Sequence, residues 1–346
     1  MRVLVVESGH AFSTLDVHDG LCAGLRANGI EVVEYPLCAT LESMDLMVGA
    51  ARLMEIAPEK GYPDPFQLAS MGIPGLAMAK QVEAVIFVHG LNVPASIPAA
   101  LGRGGYATAL VCTESPYQTD QEANVAQFYD VIFTNERRAI PLFTNNKPDT
   151  VHYLPHAYHP LRHTPEGESA EPCDVVFIGT RFPERAALLD GVDWTGITYV
   201  ERTIDYKGGK PTADLLTQIT PNERTAALYR SARIALCHHR TTAHTDSGQH
   251  IAAGAAESLN PRCYEIPACG GFLISDVRAE LYDVFGECVP TYTDSASLEH
   301  IIRYYLTHEE ERRALADQQR AAVLGHSWVE RAAQVMHALA RHAIAA

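Results

Sequence analysis

The residue types that most plainly suit chemistry lie in Glu257-Ser-Leu-Asn-Pro-Arg-Cys-Tyr-Glu265-Ile-Pro-Ala-Cys-Gly270-Gly271-Phe-Leu-Ile-Ser-Asp276. Asn260 is a good helix N-cap, and Pro261 is preorganised for the first helical position. Gly270-Gly271 would stop a short helix, and the apolar run Phe272-Leu-Ile274 reads as a strand buried on both faces. Arg262 and Glu265 share one face of that helix near its start. Free backbone N–H groups and the helix dipole favour a phosphate there. An Arg for phosphate charge and a Glu accepting from ribose hydroxyls make a nucleotide grip. The plainer alternative is an exposed ion pair on a buried helix–turn–strand.

A second constellation has the same logic. Gly179-Thr-Arg181-Phe-Pro-Glu-Arg185 follows a strand and opens a helix at Pro183. Gly179 permits close backbone approach, and Arg181 or Arg185 would meet a diphosphate at that helix start. An ordinary βα turn with solvated arginines is the competing reading. Near the amino end, Ser8-Gly9-His10 ends the first strand, where α/β sheets place ligand crevices. Gly9 would line such a crevice, and His10 would hydrogen-bond a transferring group or be an idle loop histidine. Asp16, His18 and Asp19 start the first helix. One of them would serve as a general base, although a carboxylate favoured by the helix dipole is the stronger reading.

His89, in Val88-His89-Gly90, is the candidate for a hydrogen bond at a catalytic centre. Cys112-Thr113-Glu114-Ser115-Pro116 follows another strand, with Ser115 and Pro116 readable as N-cap and first helical residue. His238-His239-Arg240 precedes the polar, small-residue stretch Thr241–Gly254. His244, Asp246 and His250 in it lack rigid ligand spacing. His152, His156, His159 and His163 are interrupted by Pro155 and Pro160, so they form no helical metal face. No Asp-x-Asp triplet occurs and no metal is expected.

These positions need a scaffold of parallel strands. Short β-rich runs alternate with helical stretches throughout, which indicates an α/β protein. Strands are expected at 2–6, 31–35, 84–88, 108–112, 131–134 and 151–154, and then at 174–178, 197–200, 233–237, 272–275 and 288–291. Helices are expected near Asp16–Asn28, from Pro183, and over Asn222–Ser231. Residues 58–75, rich in turn formers, are expected as a surface loop. The Pro/Glu/Gly stretch 164–172 is expected as a linker. It separates an amino-terminal domain, 1–163, from a second domain, 173–325. Residues 326–346, opening with His326-Ser-Trp, would form a helix returning to the first domain. The order fits two Rossmann-like, doubly wound domains facing across a cleft.

Composition narrows the class. A chain of 346 residues is long enough for two cores, and 47% hydrophobic content is that of a globular protein. No run approaches the ~20 apolar residues of a membrane span, and the start lacks a signal-peptide cleavage pattern. The eight cysteines are scattered with no CxxC pair, which implies reduced thiols and a cytoplasmic protein. A net charge of −15 argues against general adhesion to nucleic acid or anionic lipid.

The Glu-x7-Glu spacing from Glu257 to Glu265, followed by Ala268-Cys269-Gly270, resembles the donor-site signature of retaining GT-B glycosyltransferases of the family 4 type. The Asn260-x-Arg262-x-x-Glu265 run is nearer to their CgeB-like branch. Phe128-Tyr-Asp130-Val-Ile-Phe-Thr134, Tyr153-Leu-Pro-His156, Asp174-Val-Val-Phe-Ile-Gly179 and Leu228-Tyr-Arg-Ser-Ala-Arg-Ile234 resemble further segments of that branch, in order. The resemblance implies a GT-B fold and transfer of a sugar from a nucleoside-diphosphate sugar, expected as a UDP-sugar, to a hydroxyl acceptor. It implies retention of configuration, no metal and no other cofactor. By the same resemblance Glu265 binds the ribose, Glu257 contacts the donor sugar, and arginines offset the diphosphate charge. The chain departs from the family's Arg and Lys pair by offering only arginines. Three further readings stay open: a DNA glycosyltransferase acting on hydroxymethylated bases, supported by a basic rim of Arg103, Arg137 and Arg138; a non-catalytic nucleotide-sugar binder; and a sugar-nucleotide epimerase.

Overall fold

The computed structural model describes residues 1–9, 14–54, 56, 61, 64–205, 219–240, 242–244, 250–252 and 256–345. The chain divides into two compact units, Met1–Pro155 with Val329–Ala346, and His156–Trp328.

The first unit is built on a six-stranded sheet: β1 (Arg2–Val6), β2 (Glu31–Tyr35), β3 (Ala84–Val88), β4 (Ala107–Val111), β5 (Val131–Thr134) and β6 (Val151–Tyr153), in the order β2-β1-β3-β4-β5-β6. All five pairings are parallel. β3 reads Ala-Val-Ile-Phe-Val and is buried at every position, because helices cover both faces of the sheet. Leu21 and Leu25, four apart on helix Leu15–Ala27, are fully buried. Each such leucine contributes roughly 1.5–3 kcal/mol. That helix ends where Gly29 takes φ +75°. The carboxyl-terminal helix Trp328–Ala345 is fixed to this unit by two polar contacts. Asn28 Nδ2 donates to the Val329 carbonyl at 2.8 Å and Arg331 Nε donates to the Pro155 carbonyl at 3.0 Å.

Residues 58–75, expected as a loop, include two helices in their described part, one beginning at Pro65 and one at Gly72. The turn formers act there as helix starters: Asp64 accepts from the Phe66 N–H and Pro65 takes the first helical position. Gly72 is required because a Cβ would lie 2.6 Å from the Tyr35 hydroxyl.

The second unit has a five-stranded parallel sheet of β7 (Cys173–Arg181), β8 (Tyr199–Asp205), β9 (Ala232–Cys237), β12 (Leu273–Asp276) and β13 (Thr291–Tyr292), in the order β13-β12-β9-β7-β8. Between β9 and β12, β10 (Thr242–His244) and β11 (His250–Ala252) form an antiparallel pair. β13 is shorter than the expected 288–291 strand because the chain at Cys288 is still turning, its N–H bonded to the Phe285 carbonyl at 3.3 Å. One buried side chain completes the sheet. Gln319 accepts from the Leu273 N–H at 2.8 Å and donates to the Leu273 and Cys288 carbonyls at 3.0 and 2.9 Å. It thus satisfies backbone groups that water cannot reach.

Residues 164–172, expected as a linker, lie within the second unit and are held on helix Asn222–Ser231. Arg230 donates to the Glu168 carbonyl at 2.8 Å and to the Thr164 carbonyl at 3.0 Å, and Ala170 N–H donates to Ser231 Oγ at 2.6 Å.

Candidate functional site

Because its sheet is parallel, the second unit brings the carboxyl ends of β7, β9 and β12 to one edge, the usual ligand edge of such sheets. β7 ends in Gly179-Thr180-Arg181, β9 in Cys237 followed by His238-His239, and β12 in Asp276. Helix Pro261–Ala268 starts at the same edge, with Asn260 as its cap: Asn260 Oδ1 accepts from the Arg262 N–H at 3.0 Å.

Three of the residues singled out in the sequence meet here. A Cβ at Gly179 would lie 3.2 Å from Arg262 Nη2 and 3.4 Å from Arg185 Nη1, so two guanidinium groups converge on this backbone point. Glycine is what lets them approach. Arg185 is buried, donates from Nη1 to the Thr180 carbonyl at 2.8 Å and stands 5.2 Å from the centre of the Phe182 ring. Arg240, on the segment after β9, covers the same ring at 4.8 Å. Two like charges held together in a half-buried setting favour an anion between them.

Arg181 is a correction. Its guanidinium is taken by Glu201 and by Asp190 Oδ1 at 2.5 Å, so two carboxylates already balance its charge. Glu201 also accepts from Tyr199 Oη and Thr203 Oγ1, which fixes it as a structural partner on β8. Arg185, not Arg181, is the cation that β7 and its following helix present beside Arg262.

The segment carrying Glu257 is set by residues that sequence reasoning missed. Buried Glu280 accepts from the Leu259 N–H at 2.7 Å, and the Glu280 N–H donates to the Glu257 carbonyl at 3.2 Å. Buried Arg278 donates to the Ala256 carbonyl at 3.0 Å and to the Arg240 carbonyl at 3.2 Å, tying together both ends of residues 241–255. Asp276 accepts from the His239 backbone N–H at 2.8 Å and from its Nδ1 at 2.7 Å. His239 Nε2 in turn accepts from the Asn260 N–H at 3.2 Å. Burial opposes ionisation of Asp276, but His239 outweighs it and holds the carboxyl well below the usual range. No sequence signal marks Asp276, Arg278 or Glu280 beyond their position just past a buried strand.

His238 is kept neutral by burial, which lowers it to about 4, and its Nδ1 lies 3.1 Å from Tyr292 Oη. His244 and His250 face each other in the β10–β11 register, and Asp246 lies outside the described residues.

The first unit has an edge of different character. His89 follows β3 with φ +70°, a left-handed conformation that is rare for a residue with a Cβ. It is buried, which lowers its pKa to about 4, and its Nδ1 lies 3.1 Å from Thr113 Oγ1. Thr113 is fixed by Glu122, whose Oε1 accepts from the Thr113 and Glu114 N–H groups, each at 2.9 Å. Ser115 Oγ donates to the other oxygen at 2.5 Å. Burial nevertheless raises the Glu122 carboxyl to about 7. The Ser115–Pro116 peptide is cis and the helix begins only at Thr119, so Ser115 and Pro116 are not its cap and first residue. Gly9, at φ +85°, packs where a Cβ would be 3.0 Å from both Asn92 and Leu41. Asn92 Nδ2 holds the adjoining Ser8 carbonyl at 2.7 Å. His10 lies outside the described residues. His18 is buried in helix Leu15–Ala27, 3.7 Å from Cys22 Sγ, which favours a core role over a base. Arg103, Arg137 and Arg138 are exposed, and Arg137 lies 5.3 Å over the Tyr153 ring.

Comparison with known proteins agrees with this architecture. Sucrose-phosphate synthase from Thermosynechococcus elongatus superposes with a TM-score of 0.62 at 12% identity, over 100% of each chain. Anabaena HepE in complex with UDP-glucose gives 0.59 at 10% identity, over 99% of this chain and 100% of that one. A protein assigned as a UDP-N-acetylglucosamine 2-epimerase from Listeria monocytogenes gives 0.51 at 12% identity, over 100% of this chain and 97% of that one. No curated protein matches the chain in sequence. The two parallel sheets with alternating helices are those of the GT-B glycosyltransferases. Residues 180–337 match the family described as glycosyl transferase-like.

Proposed function

We propose that this protein transfers a sugar from a nucleoside-diphosphate sugar to a hydroxyl acceptor, with retention of configuration and without a divalent metal at the reacting centre. The observation that carries the reading is the convergence of Arg185 and Arg262 on Gly179, beside the capped start of helix Pro261–Ala268. Charge grows on the leaving diphosphate as the glycosidic bond breaks. Two fixed guanidinium groups in a water-poor setting stabilise that charge more than they stabilise the bound donor.

Glu265, one turn along from Arg262, takes the ribose hydroxyls, and Glu257 contacts the donor sugar. The segment bearing Glu257 is braced by Arg278 and Glu280, which suits a carboxylate that must keep its place during transfer. Uracil is the base we favour, since HepE, which shares the fold, was crystallised with UDP-glucose. Gly9, His10 and His89 are assigned to the acceptor side. Neutral His89 is suited to hydrogen-bond an uncharged hydroxyl. The DNA reading has no comparable support, given a net charge of −15.

The test is nucleoside diphosphate release from a panel of UDP-, GDP- and ADP-sugars, comparing wild type with Arg262→Ala and Glu265→Ala. Release from one donor, lost in both variants, supports the reading. Tight donor binding without release on any acceptor would favour a non-catalytic binder. Absence of both would remove the donor assignment.

A further inference from the structure

Cys237, His239 and Cys263 come from two segments: the end of β9 with the residues just after it, and the first turn of helix Pro261–Ala268. All three are buried, and their Sγ, Nε2 and Sγ atoms lie within 4.8 Å of one another. Cys263 Sγ stands 3.5 Å from Cys237 Sγ and 3.7 Å from His239 Nε2. A tetrahedral zinc ion with Zn–S bonds of about 2.3 Å and a Zn–N bond of about 2.0 Å sets sulfur and sulfur about 3.8 Å apart, and sulfur and nitrogen about 3.5 Å apart. The cluster is within a few tenths of an ångström of that spacing at both distances.

The surroundings fit the same ion. Asp276 accepts from His239 Nδ1 at 2.7 Å, which directs the unprotonated Nε2 toward the two sulfurs. A carboxylate behind a histidine ligand is the usual second partner of zinc-bound imidazole. The charges also balance: two thiolates neutralise Zn²⁺, while Asp276 is answered by Arg278 Nε at 3.5 Å. Soft sulfur and imidazole donors in a tetrahedral set select zinc over magnesium or calcium.

We infer that Cys237, His239 and Cys263 form a structural zinc site that staples the end of β9 to the start of helix Pro261–Ala268. The ion takes the place of Asn260, whose N–H now donates to His239 Nε2 at 3.2 Å and whose Nδ2 donates to Cys237 Sγ at 3.1 Å. Spacing along the chain hides this site, since the ligands fall in two segments and form no CxxC pair. The inference is independent of the proposed activity: the metal braces the helix and takes no part in sugar transfer.

The test uses the full chain, without a polyhistidine tag, purified under reducing conditions from zinc-supplemented medium. Elemental analysis should find about one zinc per chain, and Co²⁺ exchanged into the protein should give thiolate charge-transfer and tetrahedral d–d bands. Cys263→Ser should lose both, while Cys288→Ser, a substitution at a buried cysteine outside the cluster, should keep both. Because Cys263 is buried and its replacement also perturbs packing, Asp276→Asn provides a second arm: it leaves all three ligands in place and should weaken zinc roughly 10- to 100-fold. Wild-type protein that holds no zinc and gives no cobalt bands would overturn the inference. So would full zinc retention in both Cys263→Ser and Asp276→Asn.

Discussion

The two sheet edges differ in how they handle charge. In the second unit, Arg185 and Arg262 converge on one backbone point, while Asp276 is engaged by His239 and Arg278 and Glu201 by Arg181. In the first unit the prominent groups are a neutral His89 and a Glu122 that burial pushes toward neutrality. One edge is built to meet an anion, the other to hold hydrogen bonds without net charge. A reaction joining a charged donor to an uncharged hydroxyl needs both kinds of surface. On the proposed reading, the second unit takes the charged donor and the first the uncharged hydroxyl.

Removing a cation from the second edge should break the contrast most sharply. Arg262→Ala is expected to lower kcat/KM for donor turnover by about 10²- to 10³-fold, the cost of one preorganised charge-stabilising group. Arg181→Ala should leave turnover within a fewfold of wild type and act on stability instead. Steady-state kinetics on the two variants separate a phosphate ligand from a structural ion pair.

Titration sharpens the comparison further. His163 and His238 in the second unit are lowered by burial to about 3 and about 4. Each contributes stability above its unfolded pKa of about 6.5 and loses it as pH falls toward the folded value, about 3 kcal/mol apiece by pH ~4. In the first unit His89 acts with the same sign, but Glu122 opposes it. A carboxyl raised from 4.5 to about 7 stabilises the fold at low pH and loses that contribution as pH rises through this window. Acid unfolding should therefore begin in the second unit, measured by hydrogen exchange between pH 7 and pH 4. Glu122→Gln should make the first unit more acid-sensitive and narrow the gap between the two.

Smaller effects test the bracing. Gln319→Leu strands the Leu273 N–H and two carbonyls and should cost about 1–3 kcal/mol in urea unfolding. His89→Gln should reduce transfer to acceptor only about three- to tenfold, with donor hydrolysis unchanged, as befits one neutral hydrogen bond.

Much of this was legible in the chain. Central strands such as β3 and β5 announce themselves as short apolar runs because both their faces are covered, whereas the edge strands β2 and β8 carry charged residues. That Gly179, Arg185 and Arg262 lie at one sheet edge follows from local rules, a βα turn and a capped helix start. The partners of Arg181 could not be read from its own turn: Asp190 comes from the end of the helix after β7, and Glu201 from β8. Asp276, Arg278 and Glu280 were missed for a related reason. They act on carbonyls and amides of residues 239–259, and contacts of that kind leave no pattern in composition or spacing. The helices in 58–75 were hidden because proline and glycine mark helix starts as well as turns.

Arg278 has a consequence for how such a protein can diversify. One guanidinium ties the carbonyls of residues 240 and 256, so whatever lies between them begins and ends at a fixed gate. Closing a longer loop costs only about 0.6 kcal/mol for each doubling of its length. The same two contacts would hold a segment of another length at the same two points.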